Sequence, residues 1–336
     1  MHGGSERRPT RRNLAGGPGH GRLRTWRLPL SPRLTLRRVV EGGVAVGVIV
    51  TTVFVFLQLT GDPTRTVAPL DSTEEELDRI AAAYGFDQPL LTQYATFVRN
   101  VLTGHFPDSV AYGIPAMDVV RAGIGPTVLL AVSAMVLGNV LGLLIGYVSC
   151  MSASPVARRI PILLSVAGTS LPAFFVGIIL VLVFAVTLDA LPASGYGGAE
   201  HLVLPLITLT LGVMPSTARV FRAQLLEVLD QDHVVLARAK GLPRGRVNRR
   251  HVAFNALGPA VSLIGLQLGG LLAGAVTVEV IFRWPGVGSI VMAAIGGRDY
   301  AVVLAAAVLI AVGYVVASFL ADVAAQLIDP RAGIRR

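Results

Sequence analysis

Six long blocks of apolar residues, separated by charged or turn-rich segments, constrain the fold of this 336-residue chain more than any other feature. A membrane-spanning helix needs about 20 predominantly apolar residues. Only 15% of the residues are charged, whereas soluble domains have about a quarter. The sequence predicts an all-α polytopic membrane protein with six transmembrane helices at residues 39–59, 127–150, 160–188, 202–218, 256–281 and 301–321.

The fourth block is the weakest of the six. It is short, and it contains Pro205 and Pro215. Membrane helices tolerate proline where neighbouring groups satisfy the freed carbonyls. We therefore retain this block as a span.

The distribution of arginine predicts the orientation. Of the 29 basic residues, 23 fall in segments that six spans place on one side, and six fall on the other. Positive charge marks the cytoplasmic side, so both termini and residues 219–251 are expected in the cytoplasm. The net charge of +9 then reflects topology rather than nucleic-acid binding.

These segments divide the chain into five parts. Residues 61–121 form a large insert on the extracytoplasmic side, between the first two spans, with a helix capped by Ser72 or Thr73 and a second short helix over 89–102. The five parts are a disordered basic cytoplasmic tail (1–32), the first transmembrane helix (33–60), the insert (61–121), a transmembrane core (122–330) that includes the cytoplasmic loop 219–251, and a second cytoplasmic tail (331–336).

The chain lacks the motifs of common catalytic and metal sites. Lys240 is the only lysine, and Gly241 follows it, so a nucleotide-binding P-loop is absent. The six histidines and the single cysteine form no metal-ligand spacing. We expect no catalytic residue, metal ligand or bound cofactor. The charges nearest to the spans are expected at their ends, where side chains reach the interface and no proton path forms: Glu41, Arg219, Glu279 and Asp322.

Glycines four residues apart recur in the predicted spans. Gly138, Gly142 and Gly146 form a double GxxxG pattern, and Gly43 with Gly47 repeats the spacing. Small residues let helix backbones approach closely. Such a face can pack within the chain or on a second transmembrane subunit.

Residues 219–251 cannot span a membrane, because they carry eight basic and three acidic residues. Asp230–Lys240 is compatible with a helix that Asp230 or Asp232 caps and Gly241 ends. Val235, Ala239 and Leu242 would form its apolar stripe. This helix could dock on another protein, or the segment could be a solvated connecting loop.

Several stretches resemble the B-type permease of bacterial dipeptide and oligopeptide ATP-binding-cassette importers. The resemblance covers roughly residues 33–333 and implies a type I importer permease fold. Its most specific stretch is ARAKGLP at 237–243, followed by EVIFRWPGVG at 279–288. The other matching stretches are LTLRRVVEGGVAVGVIV, GDP, YGFDQPLLTQY, LPASGYGG, HLVLPLITLTLG and LIDPR.

The resemblance implies that the ARAKGLP region is a coupling helix that sits in a groove of the ATPase. In the wider importer class an acidic residue stands where this chain has Val235, and relatives often have tyrosine at His233. These departures leave the docking helix in place and change its polar contacts. The implied coupling residues are Asp232, Val235, Ala237, Arg238, Ala239, Lys240, Gly241, Leu242 and Pro243.

The resemblance also places EVIFRWPGVG as a bent segment at the outer end of span five, close to the pore. Trp284 suits an interface, and a positive φ is expected at Gly286 or Gly288. A plain turn is the alternative. The implied outer-gate residues are Glu279, Phe282, Trp284, Pro285, Gly286 and Gly288.

The implied function is a permease subunit of an ATP-driven importer in the bacterial cell membrane. Its expected partners are a second permease, two ATPase domains that bind ATP and magnesium, and an extracytoplasmic protein that delivers di- or oligopeptides. Nickel chelates and haem are alternative substrates. A channel or secondary carrier would need charge within the membrane or inverted repeats, and an intramembrane enzyme would need a convergent polar cluster; we see neither in the sequence.

Overall fold

A computed structural model describes residues 32–59, 72–156 and 171–328, together with isolated residues between these ranges. The predicted tail at 1–32, apart from Pro32, the predicted tail at 331–336 and most of residues 157–170 fall outside the described part. Within it the chain is helical, and the one β interaction is an isolated bridge between Asp108 and Pro115.

Ten helices of eight residues or more follow one another in the described part, and a single helical turn, Arg244–Arg246, lies between the seventh and the eighth. They are α1 (Pro32–Leu59), α2 (Glu74–Tyr84), α3 (Leu90–Thr103), α4 (Ala116–Met151), α5 (Ala173–Leu180), α6 (Ala199–Leu229), α7 (Asp232–Ala239), α8 (Phe254–Ile281), α9 (Val287–Gly296) and α10 (Tyr300–Ile328). Two π-helical stretches extend this set, Val181–Thr187 after α5 and Val247–Ala253 before α8.

Five of the six predicted spans each correspond to a helix, although the boundaries differ. For the third span (160–188) the structure describes helix from Ala173 to Thr187, and most of residues 160–170 lie outside the described part. Three described segments are long and apolar enough to cross a membrane by themselves: Ala116–Met151, Ala199–Leu229 and Tyr300–Leu320. The fourth span continues to Leu229, eleven residues beyond the predicted end, because Phe221, Leu225 and Val228 are buried against α7 and the start of α8. Residues 219–229 are therefore helix rather than loop.

The two helices predicted in the insert are present. Thr73 caps α2 and forms a reciprocal capping box with Glu76. Helix α3 is shifted by one residue from the predicted 89–102, because Pro89 is its N-cap. It lies against α1, where the Phe54 ring meets the rings of Tyr94 and Phe97 at 5.2 and 5.5 Å. The insert is thus anchored on the first span.

Three apolar clusters lie along the bundle. A central cluster joins α4, α6 and α8. The cluster at one end joins the start of α4 to α9 and α10. The cluster at the opposite end joins the last turns of α4 and α6 to α7 and the start of α8. The two predicted functional segments therefore lie at opposite ends of one helical core.

The double GxxxG pattern packs within the chain. A Cβ on Gly142 would lie 2.7 Å from Thr217 Cβ, and one on Gly146 would lie 2.8 Å from the Ala218 carbonyl oxygen, both on α6. By contrast, Gly43 and Gly47 on α1 have nothing within 4 Å. The first face is an internal helix contact, whereas the α1 face at these two glycines meets none of the described residues.

We expect Gly142→Ala to destabilise the protein by about 1–3 kcal/mol, the usual effect of overpacking a close contact. Gly125→Ala is the matched control on the same helix, because a Cβ there meets nothing within 4 Å. Gly125→Ala should be neutral or stabilising by up to about 1 kcal/mol. Unfolding of both variants in detergent tests this difference, and equal stabilities would contradict the assigned α4–α6 contact.

Candidate functional site

Helix α7, whose last three residues begin the ARAKGLP stretch, ends in a defined C-terminal cap. Gly241 has φ of 75°, the left-handed conformation that favours glycine. Its N–H donates to the Arg238 carbonyl oxygen, and the Leu242 N–H donates to that of Ala237. These two bonds form a Schellman motif, which confirms the predicted stop at Gly241 and accounts for the Gly-Leu pair.

The start of α7 differs from the prediction. Gln231 is the N-cap, and no side chain caps the helix. Asp230 instead ends α6, and Asp232 is the first helical residue. The acidic side chain of Asp232 still lies in the first turn, where its negative charge interacts favourably with the positive end of the helix dipole.

The buried and exposed faces of α7 separate cleanly. Val234 and Ala237 face the protein interior. Val235 and Leu236 are each 55% exposed, and Ala239 is exposed beside them. An apolar face outside the buried core is available to a partner.

Leu242 does not belong to this exposed face, contrary to the predicted stripe of Val235, Ala239 and Leu242. It packs against the buried cluster, because the Schellman cap turns the chain inward after Gly241. The remaining predicted coupling residues, Arg238, Lys240 and Pro243, are exposed.

The interior face of α7 joins two long helices. Val234 and Ala237 share a cluster with Phe221 and Leu225 of α6 and with Val252, just before α8. A force applied to α7 would therefore act directly on both helices, since packed cores transmit displacement.

The EVIFRWPGVG segment encloses a buried carboxylate at the other end of the bundle. Glu279 is fully buried. Its carboxylate accepts hydrogen bonds from Thr127 Oγ1 at 2.6 Å, from the Gly288 N–H at 2.7 Å and from the Ser289 N–H at 3.2 Å. The prediction that Glu279 reaches the interface is wrong, because these donors hold it inside the protein and satisfy the first turn of α9.

The glycines of the segment are required by space rather than by φ. Gly286 has φ of −94°, and neither it nor Gly288 has positive φ. A Cβ on Gly286 would overlap the Glu279 carboxylate, and one on Gly288 would lie 2.6 Å from Val276 Cα. The expected positive φ occurs instead at Arg283, at 49°.

The predicted gate residues are mostly enclosed by this chain. Phe282 and Trp284 are 1% and 2% exposed. The Trp284 ring meets the Tyr196 ring edge-on at 4.8 Å, so this tryptophan faces protein rather than an interface. Phe282 accepts a hydrogen bond at its carbonyl oxygen from the Gly195 N–H. Within the bend, Pro285 and Arg283 form the exposed edge.

A polar cluster that the sequence reasoning missed joins α4, α6 and α8. Thr217 Oγ1 donates to Asn139 Oδ1 at 2.8 Å. Gln267 Nε2 donates to Ser216 Oγ at 2.9 Å and to Thr217 Oγ1 at 3.0 Å. Asn139 and Thr217 are buried. The four polar residues converge, but none of them ionises, so the cluster offers no general base for an enzyme.

Comparison with known proteins places these features in a family. The family described as "Binding-protein-dependent transport system inner membrane component" matches residues 138–334, and a separate match to its N-terminal region covers residues 32–117. The first match alone spans more than half of the chain.

Curated relatives agree with this match. The glutathione transport system permease protein GsiC of Escherichia coli strain K12 is 33% identical over 279 residues, which are 83% of this chain and 91% of that protein. The protein of the same name from Salmonella choleraesuis is 32% identical over 284 residues, 84% and 93% of the two chains.

A solved structure, an amino acid ABC transporter crystallised with histidines, is 16% identical with a TM-score of 0.49, over 64% of this chain and 94% of that chain. The family matches and the helical architecture lead to one assignment. The chain belongs to the inner-membrane components of binding-protein-dependent transport systems: it is a multi-pass helical permease subunit, which works with other permease, ATPase and binding-protein subunits and leaves ATP hydrolysis to the separate ATPases.

Proposed function

We propose that this chain forms, with a second similar permease, the path of an ATP-driven peptide importer. Two ATPase domains would drive it, and an extracytoplasmic binding protein would deliver the substrate. The observation that carries the proposal is α7, which exposes Val235 and Leu236 while its other face is packed on α6 and α8. Such a helix offers a partner an apolar contact and connects that contact to the transmembrane core.

In this mechanism, α7 moves with the ATPase to which it binds. When the ATPases close on ATP, displacement of α7 shifts the C-terminal part of α6 and the start of α8, because the three segments share one buried cluster. The spans then rock between inward- and outward-open states. The chain provides the path and makes or breaks no bond.

Peptides are the proposed substrates because GsiC, by its name, serves glutathione transport. Glutathione is itself a small peptide. Nickel chelates and haem are the alternatives in the same kind of importer. The chain itself is proposed to hold no cofactor: its only lysine, Lys240, precedes Gly241 rather than the serine or threonine of a P-loop, and ATP with magnesium would bind to the partner ATPases.

The proposed substrate is tested by uptake into proteoliposomes that contain the complete complex and its binding protein. Labelled dipeptides and glutathione should accumulate only when ATP is enclosed in the liposome lumen, on the side of the membrane that carries the ATPases. Nickel chelates and haem should not compete. Uptake of nickel chelates or haem without peptide uptake would overturn the assignment of peptides as substrates, while the assignment as an ATP-driven importer would stand.

The proposed orientation places α7 and both termini in the cytoplasm and the insert outside. The support is the 23-to-6 distribution of basic residues. This arrangement puts α7 on the side where ATP is available.

Cysteine labelling in intact cells tests this orientation. The single native cysteine, Cys150, is first replaced by alanine. We expect an impermeant maleimide to label Asp78→Cys in the insert and to leave Arg244→Cys unlabelled until the cells are opened; both residues are exposed. If Arg244→Cys alone were labelled in intact cells, the orientation would be the reverse of the one proposed.

A further inference from the structure

The bend at residues 282–286, here called the corner, is attached to α4 over little more than one helical turn. A Cβ on Gly123 would lie 2.7 Å from the Val287 nitrogen, so the two backbones touch there. Trp284 Nε1 donates to the Pro126 carbonyl oxygen at 3.0 Å. Three residues of α4, Gly123, Pro126 and Thr127, thus hold the corner.

Thr127 occupies the centre of this attachment. Its hydroxyl donates to Glu279 at 2.6 Å and accepts from the Val287 N–H at 2.8 Å. One side chain of α4 therefore links the end of α8 to the start of α9. Glu279 completes the link by accepting from Gly288 and Ser289.

The far end of α9 is attached as well. Asp299 lies three residues after the end of α9 and is 1% exposed. It accepts hydrogen bonds from Ser109 Oγ and from the Ala111 N–H, both in the segment that leads into α4, and from the Val302 N–H of α10. Helix α9 is thereby bonded at both ends to residues next to or within α4.

Separating α9 from α4 would leave several buried donors and acceptors unpaired. Burial makes each such group costly when it finds no new partner. A flap that opened alone would lose most of these bonds together. Movement of the whole block preserves them.

We propose that Glu279 and Thr127 are positioning residues that fix the corner and α9 to the first half of α4, so that this block moves as one unit during transport rather than opening as a separate flap. The proposal rests on the proposed transport function. It assigns the corner to the rigid part of the gate and leaves its exposed edge, Arg283 and Pro285, as the surface that meets the path or a partner.

Spin-label distances test this proposal in the assembled complex. Labels are attached at Arg121→Cys on α4 and Met292→Cys on α9, both exposed, in a Cys150→Ala background. The distance is measured without nucleotide and with the ATPases trapped on an ATP analogue. We expect the same narrow distribution in both states. A shift of about 5 Å, one helical turn, would overturn the proposal.

Thr127 variants test the positioning role itself. Thr127→Val keeps the shape but removes both bonds, whereas Thr127→Ser keeps the hydroxyl. We expect Thr127→Val to broaden the label distance and to lower the ratio of binding-protein-stimulated to basal ATPase at least about fivefold, because the side chain loses its hydrogen bonds to Glu279 and to the Val287 N–H. Thr127→Ser should restore both readouts.

If Thr127→Val matched the wild type in both readouts, the positioning role would be overturned. If Thr127→Val failed to assemble, the wild-type distances would still decide whether the block is rigid. The label measurement needs no transported substrate. Absence of peptide uptake would therefore count against the proposed function, and a state-dependent distance would count against the rigid block.

Discussion

Gly286→Val is expected to abolish transport. Its Cβ would overlap the Glu279 carboxylate, which is fully buried and cannot turn outward without leaving its three donors. Overpacking costs about 1–3 kcal/mol, and each donor left unpaired adds about 1–3 kcal/mol. We expect peptide uptake to be lost and the thermal stability of the complex to fall, measured in proteoliposomes and by unfolding in detergent.

Gly296→Val is the matched control for this substitution. Gly296 ends α9, and a Cβ there meets nothing within 4 Å. This variant should retain at least half of the wild-type uptake. Wild-type uptake in a folded Gly286→Val protein would show that the corner tolerates a side chain at this position. The packing around Glu279 would then not be required for transport.

Ala239→Arg is expected to separate the permease from its ATPase. Ala239 is exposed beside Val235 and Leu236, so arginine leaves the fold of the free subunit intact. Within a docked interface, the same charge would be buried without a partner, which costs several kcal/mol. About 1.4 kcal/mol corresponds to a factor of ten in affinity. Co-purified ATPase should therefore fall at least about tenfold, and uptake should fall with it.

Ala239→Ser keeps a small side chain at this position and should bind the ATPase like the wild type. Membrane insertion of Ala239→Arg is checked by its yield in the membrane fraction. Normal co-purification and uptake of Ala239→Arg would exclude the exposed face of α7 as the ATPase contact.

The order and approximate positions of the described apolar helices could be predicted from sequence, because long apolar blocks are a local signal. The length of α6 could not be predicted from hydropathy, because Arg219 and Arg222 lower the mean hydropathy beyond residue 218. A finer signal was present: Phe221, Leu225 and Val228 recur at i, i+4 and i+7, the spacing of one buried helix face.

The corner shows where local reasoning ends. Its bend was visible in Pro285 and Gly286, but the burial of Glu279 depends on Thr127, which lies 152 residues earlier in the chain. No pattern around Glu279 identifies that donor. The requirement for glycine at 286 likewise follows from the position of the carboxylate, which only the folded chain reveals.

The polar cluster at Asn139, Thr217 and Gln267 left a signal that could have been used. Asn139 and Gln267 each stand inside an otherwise apolar block. Polar side chains at such positions are costly unless they find partners, so they are expected to face other helices. The helices that they face could be identified only from the contact that Gly142 and Gly146 make between α4 and α6.

Photo-crosslinking from α7 in membranes that contain the assembled complex tests the central claim most directly. A photoreactive amino acid is placed at Leu236, which is 55% exposed, and, as a control, at Tyr196 near the opposite end of the core, which is 53% exposed. The product is identified by mass spectrometry. We expect Leu236 to form a covalent adduct with the ATPase subunit and Tyr196 to form none with it. An ATPase adduct from Tyr196, or its absence from Leu236 in an active complex, would contradict the claim that α7 connects this permease to ATP hydrolysis.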